Sequence, residues 1–229
     1  LLAHTTDNIY NIDYQRTTQF IIGDSTPAAP LVFGEPQEYL GGIEQGTLGT
    51  WDPNAGMMSP FGYTWVDWKA KAIYLMSPAG GIEEISRYGM KKTLRKLLEF
   101  CNSNDCRDEK SVSGSGFVIG LDPTLERILF TKIDGDKSFT LSYSPMKKKW
   151  ISFHSYIPQF YMWDRDNLFS LKEGGIWKHN KADSFGSFYG KKHTHEIEFV
   201  ASSGGYKHRF LYNASLLWTE ARKDNLTRL

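Results

Sequence analysis

The feature that most constrains the fold is a recurring pattern of short apolar or alternating runs, each separated from the next by turn-forming residues. The first set covers residues 63–67, 72–76 and 82–86, which predicts a three-stranded meander. A second set predicts four strands and a third predicts three, and their runs are residues 117–121, 128–132, 139–142 and 150–154, then 160–163, 168–171 and 176–179. Because one small meander cannot cover both of its faces, the pattern favours sheets that pack against neighbours of the same kind.

An aspartate ends the first predicted strand of each meander. Asp67 and Asp122 are each followed six residues later by an isoleucine of the returning strand, and Asp164 is followed four residues later by Leu168. We interpret the three as turn formers, because a carboxylate at the first position of a turn accepts hydrogen bonds from nearby backbone amides. The alternative is a glycosidase, which needs two carboxylates about 5–10 Å apart across a cleft. Equivalent positions in successive meanders do not favour such a pair.

Recurrence at about 40–55 residues, with three or four strands per unit, is typical of β-propeller blades. The predicted fold class is all-β, with propeller blades of three- to four-stranded meanders, one inserted amphipathic helix and an incomplete C-terminal β-domain. The predicted division is an extended loop-rich strap at 1–61, blades at 62–180 with a helical insertion at 87–116, and the start of a further β-domain or last blade at 181–229. A ring typically needs about four to eight blades, so we expect the missing blades to come from outside these units.

The helical insertion begins with residues 87–101, which predict an amphipathic helix of roughly three turns. Apolar residues at 90, 94, 97, 98 and 101 fall on one stripe, and lysines and arginines fall opposite. The basic face could contact nucleic acid or an acidic partner, and a solvated face is the simpler interpretation. With the polar loop that follows, such an insertion could dock on a neighbouring subunit.

The composition narrows the classes of function. A hydrophobic content of 40% with 14% aromatic residues is enough for a substantial core, and a net charge of +1 predicts no broad attraction to nucleic acid or anionic membranes. No apolar run approaches the roughly 18 residues that a membrane span needs. The first residues do not resemble an export signal, and we expect a soluble chain that begins inside a longer protein.

The cysteines and histidines give weak signals for metal binding. Cys101 and Cys106 have four residues between them and could close a small disulfide loop or supply half of a zinc site, but we interpret them as reduced thiols in a polar loop. His193 and His195 share one face of a predicted strand at 192–202, without a third ligand nearby. No cofactor and no catalytic, cofactor-binding or metal-binding residue is predicted.

Aromatic residues are abundant in the predicted strands. They could form a sugar-stacking surface, but their alternating positions are explained more simply by packing between blades. The residues in question are Trp65, Trp68, Tyr74, Trp150, Phe153, Tyr156, Phe160, Tyr161, Trp163, Phe169 and Trp177.

Residues 138–180 carry a resemblance to a known family. The matching runs are Ser-Phe-Thr-Leu-Ser-Tyr-Ser-Pro at 138–145, Trp-Ile-Ser-Phe-His-Ser-Tyr-Ile-Pro at 150–158, Asn-Leu-Phe-Ser at 167–170 and Ile-Trp-Lys-His-Asn at 176–180. They resemble the tail muzzle proteins of crAss-like short-tailed bacteriophages, which are nozzle-like proteins of the distal tail tube. The clear motif covers about a fifth of the chain, and residues 62–86 fit the family more loosely.

The resemblance implies a β-propeller on a protein of the virion tail. It implies a ring, sixfold in that family, around the channel through which DNA leaves. Implied partners are other copies of the chain in a hexamer, neighbouring tail ring, portal and fibre proteins, and phage DNA that passes without specific binding. The family carries no catalytic residue, and its members are much longer than this chain.

These observations predict a non-enzymatic structural virion protein, a subunit of a tail muzzle or nozzle that forms the conduit for DNA ejection. The alternative is a carbohydrate-binding or glycan-degrading β-propeller module. A third possibility is an adaptor domain of a bacterial cell-surface protein.

Overall fold

The computed structural model describes residues 2–5, 8–12, 14–15, 32–33, 35–38, 48–50, 52–99, 115–180 and 186–194. The chain divides into two compact units, Leu1–His179 and Asn180–Leu229. Four sheets of the first unit are named sheets 1 to 4 below.

Sheet 1 is a small antiparallel sheet of three strands. Strand β1 (Leu2–His4) pairs with β2 (Ile9–Asn11), and β2 also pairs with β5 (Gln37–Glu38). A separate pair consists of β3 (Tyr14–Gln15) and β4 (Val32–Phe33). The region predicted as a loop-rich strap therefore contains short paired strands.

Sheet 2 is a four-stranded antiparallel meander whose strands pair in chain order. They are β6 (Gly56–Ser59), β7 (Gly62–Asp67), β8 (Ala72–Met76) and β9 (Ile82–Glu84). The sequence predicted three strands here, and that prediction is wrong by one because β6 was missed. Glycine is a weak strand former, and the prolines on either side of β6 indicated a loop.

Sheets 3 and 4 confirm the second and third predicted meanders. Sheet 3 has four antiparallel strands in chain order, β10 (Ser115–Asp122), β11 (Arg127–Asp134), β12 (Phe139–Ser144) and β13 (Lys149–His154). Sheet 4 has three, β14 (Phe160–Trp163), β15 (Leu168–Lys172) and β16 (Gly175–Lys178).

The described part of the second unit is a short hairpin. Its strands are β17 (Ser187–Phe188) and β18 (Lys191–Lys192). Most of the strand predicted at 192–202, and all of the strand predicted at 206–217, lie outside the described residues.

The described residues contain one α-helix, α1 (Lys91–Leu97), which follows a 3-10 turn at Ile85–Arg87. It is shorter than the predicted helix at 87–101. Gly89 between the two elements has a φ of +72°, a left-handed conformation that no α-helix contains. The helical period of the sequence was correct, and the start of the helix was predicted too early.

A buried lysine attaches α1 to sheet 3. Lys132 is 1% exposed, and its Nζ donates to the backbone carbonyl of Glu99 at 2.7 Å, just beyond the helix. The same Nζ lies 2.9 Å from Oδ2 of Asp134. Leu94 and Leu98 are fully buried on the inner face of this segment. The helix is therefore anchored by an apolar stripe and by a cation near its C-terminal end.

Sheets 1, 2 and 3 are joined by two apolar layers. One core is shared by sheets 2 and 3 and includes Val66 and Leu75 from the first and Ile119 and Phe130 from the second. The opposite face of sheet 2 presents Trp65, which packs with residues of sheet 1 in a separate core. Both layers are made of large apolar side chains, as expected for sheets packed face to face.

Sheets 3 and 4 meet through hydroxyl groups. Thr140 Oγ1 donates to the carbonyl of Tyr156 at 2.6 Å, and it also lies 2.8 Å from Thr131 Oγ1, which lies 2.7 Å from the Tyr161 hydroxyl. Since the single proton of Thr140 goes to Tyr156, Thr131 must donate to Thr140 and accept from Tyr161. We call this chain of donors the hydroxyl relay. The Tyr161 ring lies directly over Gly120 of β10.

The four sheets thus pack in the order of the chain. The first strands of sheets 2, 3 and 4 are also close together, because β10 contacts both β6 and β14. The all-β prediction is confirmed at this level, since the described residues form several antiparallel sheets with one helix. Within the described residues these sheets form neither a closed barrel nor a closed propeller.

Candidate assembly surface

The three aspartates singled out in the sequence act in turns. Asp67 Oδ1 accepts from the amide of Ala70 at 2.8 Å, and Asp122 Oδ1 accepts from the amides of Thr124 and Leu125 at 3.1 and 3.2 Å. Both carboxylates are almost fully buried. The turn role predicted for them is confirmed.

Asp164 does the same in the third meander. Its Oδ1 accepts from the amides of Asp166 and Asn167 at 2.9 and 2.7 Å. The hydrogen bond from the Asn167 side chain lowers the pKa of the Asp164 carboxyl, and this carboxyl is exposed. Each aspartate is therefore occupied with its own turn.

The turns after Asp67 and Asp122, and a third turn in sheet 3, share a backbone feature that sequence reasoning missed. Lys71, Glu126 and Lys148 each stand four positions after the first turn residue and have φ values of 52°, 50° and 50°. In the third case the first turn residue is Ser144, whose hydroxyl lies 3.4 Å from the amide of Lys147. A residue without glycine's freedom is strained in this left-handed region.

A serine and a histidine form a close pair between sheets 3 and 4. Ser170 Oγ and His179 Nε2 are 2.7 Å apart, and the Asp122 carboxylate partly opposes the lowering of the His179 pKa that burial causes. Such a set could suggest an activated nucleophile. Ser170 is 0% exposed, however, so a substrate carbonyl cannot reach its hydroxyl. We assign the pair to joining β15 with the segment after β16.

A second histidine is partly buried at the same interface. Burial lowers the pKa of His154 to about 4, with smaller contributions from Arg127 and His179. Among the described residues its Nε2 has no hydrogen-bond partner. The Tyr156 ring contacts both imidazoles, with centroid distances of 5.1 Å to His154 and 4.9 Å to His179. Burial thus favours the neutral form of both His154 and His179.

Of the four residues weighed in the sequence as weak metal-ligand candidates, His193 alone lies within the described residues. His193 contacts the Phe188 ring at 5.9 Å, while His195, Cys101 and Cys106 lie outside the described residues. In the part of the chain that the structure describes, no group of three or more histidine, cysteine, aspartate or glutamate side chains is placed to hold a metal.

The aromatic residues divide into two groups. Trp65 is fully buried between Tyr63 and Tyr74, and the Trp150 indole donates to the carbonyl of Ile85 at 3.1 Å, which agrees with the predicted packing role. Those of sheet 4 and the edge strand β13 differ, because several large apolar side chains there are exposed.

Among the described residues, one face of sheet 4 is largely uncovered. On its inner face Tyr161 and Leu168 are each 1% exposed, whereas Trp163 and Trp177 on the same face are 36% and 40% exposed. The other face carries side chains that are adjacent across the three strands, and we call it the open face: Phe160, Met162, Phe169, Leu171 and Ile176, with Lys178 opposite Phe169 at one edge. On this face Phe160 is 48%, Met162 38% and Ile176 67% exposed. A continuous apolar surface of this kind marks an interaction site.

Sequence reasoning did not identify the open face. The alternation in β14–β16 predicted strands, but both faces of the sheet are apolar, so the pattern did not indicate which would remain exposed.

No protein-family model matches this chain, and no curated protein matches it. Within the described residues, no helix has the length and apolar character needed to cross a membrane.

Proposed function

We propose that this chain is a structural assembly module made of β-propeller blades, and that it works as a subunit of the muzzle or nozzle of a short-tailed phage. The observation that carries the proposal is the ordered stack of sheets 1 to 4, which ends in the apolar open face.

The stack supports the propeller part of the proposal. Successive meanders pack face to face in chain order, and the first strands of sheets 2, 3 and 4 lie together because β10 contacts β6 and β14. A propeller repeats sheets radially, so the first strand of each blade lies beside the first strand of its neighbour near the axis. Two unrelated sandwiches would not require this arrangement.

The open face supports the assembly part. A blade at the end of an incomplete ring exposes the face that its neighbour would cover. Phe160, Met162 and Ile176 provide such a face, and burying them would remove their apolar surface from water. We propose that other copies of the chain cover it, because repeated head-to-tail contacts between copies generate rings.

The location in a virion tail is supported by the resemblance at residues 138–180. That stretch coincides with sheet 4 and the last strands of sheet 3, which are the elements at the open end of the stack. On this proposal the sixfold ring, the neighbouring tail ring, portal and fibre proteins, and the passage of DNA all follow from the family.

Sedimentation of the purified chain tests the assembly part. We expect a concentration-dependent oligomer that the double variant Phe160→Ser/Ile176→Lys converts to a monomer. Met146→Lys is the matched control, because Met146 is 69% exposed in a turn of sheet 3 and is not part of the open face. A wild-type chain that stays monomeric at every concentration would contradict assembly through this face.

Mass spectrometry and electron microscopy of purified virions test the location. We expect the polypeptide in isolated tails, in a ring at the distal end. Tails that lack it would remove the phage-tail proposal and leave the assembly result standing.

A glycan-binding module is the second candidate, and two tryptophans favour it. Trp163 and Trp177 are 36% and 40% exposed on sheet 4, and aromatic faces of this kind can stack on sugars. A glycan array decides the matter, with binding that is lost in Trp163→Ala pointing to this candidate and no binding to any glycan excluding it.

A further inference from the structure

Helix α1 carries four exposed cations in seven residues. They are Lys91, Lys92, Arg95 and Lys96. None of the four has an ion-pair partner among the described residues. At 100° per residue they lie within an arc of about 140° on the side of the helix away from the core. We call this arc the cationic face.

The cationic face works against the stability of the helix that carries it. Lys91 and Arg95, like Lys92 and Lys96, are four residues apart, which places like charges side by side. Two lysines also occupy the first turn, where the helix dipole disfavours positive charge. The first turn has no acidic residue, and Met90 at the N-cap makes no side-chain hydrogen bond. The stability of the fold therefore does not explain why these four positions of α1 carry lysine and arginine.

The helix is nevertheless held firmly. Leu94 and Leu98 are buried in the core, and Lys132 of sheet 3 donates a hydrogen bond to the carbonyl of Glu99. The Glu99 carboxylate is itself paired with Lys71 at 2.7 Å, so it does not neutralise the cations of the helix. The cationic face therefore stands on a rigid base.

We propose that the cationic face of α1 binds the phosphate backbone of nucleic acid. An interface with an acidic protein would need an apolar or aromatic anchor at its centre, and the exposed arc of α1 offers only lysine and arginine. Phosphate contacts need no such anchor, because they gain affinity from counterion release. The face carries no asparagine or glutamine that would read bases, so binding is independent of sequence.

Because the net charge of the chain is only +1, the chain as a whole adds little attraction for DNA. The affinity for the phosphate backbone therefore comes from the four cations of the cationic face. Neutralising about four phosphates gives a slope near −3.6 for the logarithm of the duplex association constant against the logarithm of salt concentration. Affinity should fall about 100-fold between about 50 and 200 mM salt. This inference does not depend on the proposed place in a phage tail.

Fluorescence anisotropy with a short labelled DNA duplex tests it on the full chain. The test variant is Lys91→Gln/Lys92→Gln/Arg95→Gln/Lys96→Gln. Its charge-matched control removes four exposed cations elsewhere: Lys147→Gln/Lys149→Gln/Arg165→Gln/Lys192→Gln. Both lower the formal net charge from +1 to −3 (+1 − 4).

We expect the α1 variant to bind at least about tenfold more weakly and to lose most of the salt dependence, while the control changes by less than about threefold. The α1 variant should unfold at the same or a higher urea concentration, since its charge repulsion is gone, which separates lost binding from lost folding. Equal weakening in both variants, or no binding by the wild type at about 50 mM salt, would overturn the proposal. Displacement of the duplex by polyglutamate at an equal concentration of charges would overturn it in favour of an acidic protein.

Discussion

The contact between Gly120 and Tyr161 gives a direct test of how sheet 4 packs on sheet 3. A Cβ added at Gly120 would lie 2.7 Å from Cβ and Cδ2 of Tyr161 and closer still to Cγ. Ordinary contacts of a Cβ begin at 3.4 Å. The φ of Gly120 is not positive, so its backbone accepts alanine. The steric conflict of an alanine there comes from the Tyr161 side chain alone.

The Tyr161 side chain cannot move away freely. It is 1% exposed, and its hydroxyl is held 2.7 Å from Thr131. Overpacking of this kind costs about 1–3 kcal/mol, and breaking the hydrogen bond adds about 1 kcal/mol. We expect Gly120→Ala to lower the free energy of unfolding by about 2–4 kcal/mol. With a urea slope of about 1–3 kcal/mol per M, the midpoint should fall by about 1–2 M.

Urea unfolding followed by circular dichroism and tryptophan fluorescence measures this effect. Gly81→Ala is the control, because its backbone is also unstrained and its nearest atom, Ser77 Oγ, lies 3.6 Å away. Adding Tyr161→Leu to Gly120→Ala should recover part of the loss, since the two sites are coupled. A Gly120→Ala midpoint equal to that of Gly81→Ala would refute the packing of sheet 4 on β10.

Three further expectations concern turns and pH. Asp122→Ala removes the acceptor of two amides in a buried turn, so urea titration should show a loss of about 1.5–3 kcal/mol, and an unchanged midpoint would contradict the turn role. Glu126→Gly relieves the left-handed strain at φ 50° and should raise the free energy of unfolding by about 0.5–1 kcal/mol in the same assay, whereas destabilisation would refute the strain argument. His154 has a folded pKa of about 4 against 6.5 when unfolded, so the unfolded chain takes up the proton first and stability falls as the pH drops from 6.5 to 4. Between pH 7 and 5 this histidine should account for about 2 kcal/mol of the loss in stability, which His154→Gln should abolish in pH-dependent unfolding curves. His4, whose pKa burial also lowers to about 4, should leave a pH dependence of the same sign in that variant.

The sequence predicted the strands of sheets 3 and 4 because their cause is local. Asp122 and Asp164 form turns with amides two and three residues away, and the alternation between the turns fixes the strands. The same reasoning missed β6, where the residues carry little strand preference. It also placed the start of the helix too early, because Gly89 interrupts a periodic pattern without changing it.

The long-range contacts could not be predicted in this way. Asp52 accepts from the amide of Phe117 at 2.7 Å, and Lys132 reaches the carbonyl of Glu99, across 65 and 33 positions of the chain. Nothing near these residues in the sequence indicates such a partner. The open face could not be predicted for the same reason, because the neighbouring sheet determines which side of an apolar sheet is covered.

The hydroxyl relay has a consequence for how such a stack is put together. Apolar layers such as the one between sheets 2 and 3 tolerate small shifts, since dispersion contacts have no direction. Tyr161, Thr131 and Thr140 accept only one alignment, because each proton in the series has a single destination. If another meander packed against sheet 3, or if sheet 4 were shifted by one residue, these buried oxygens would have no hydrogen-bond partners. Sheet 4 therefore satisfies its buried hydroxyls only when it packs on sheet 3 in this alignment. The order of the sheets is determined by these hydrogen bonds as well as by the order of the strands in the chain.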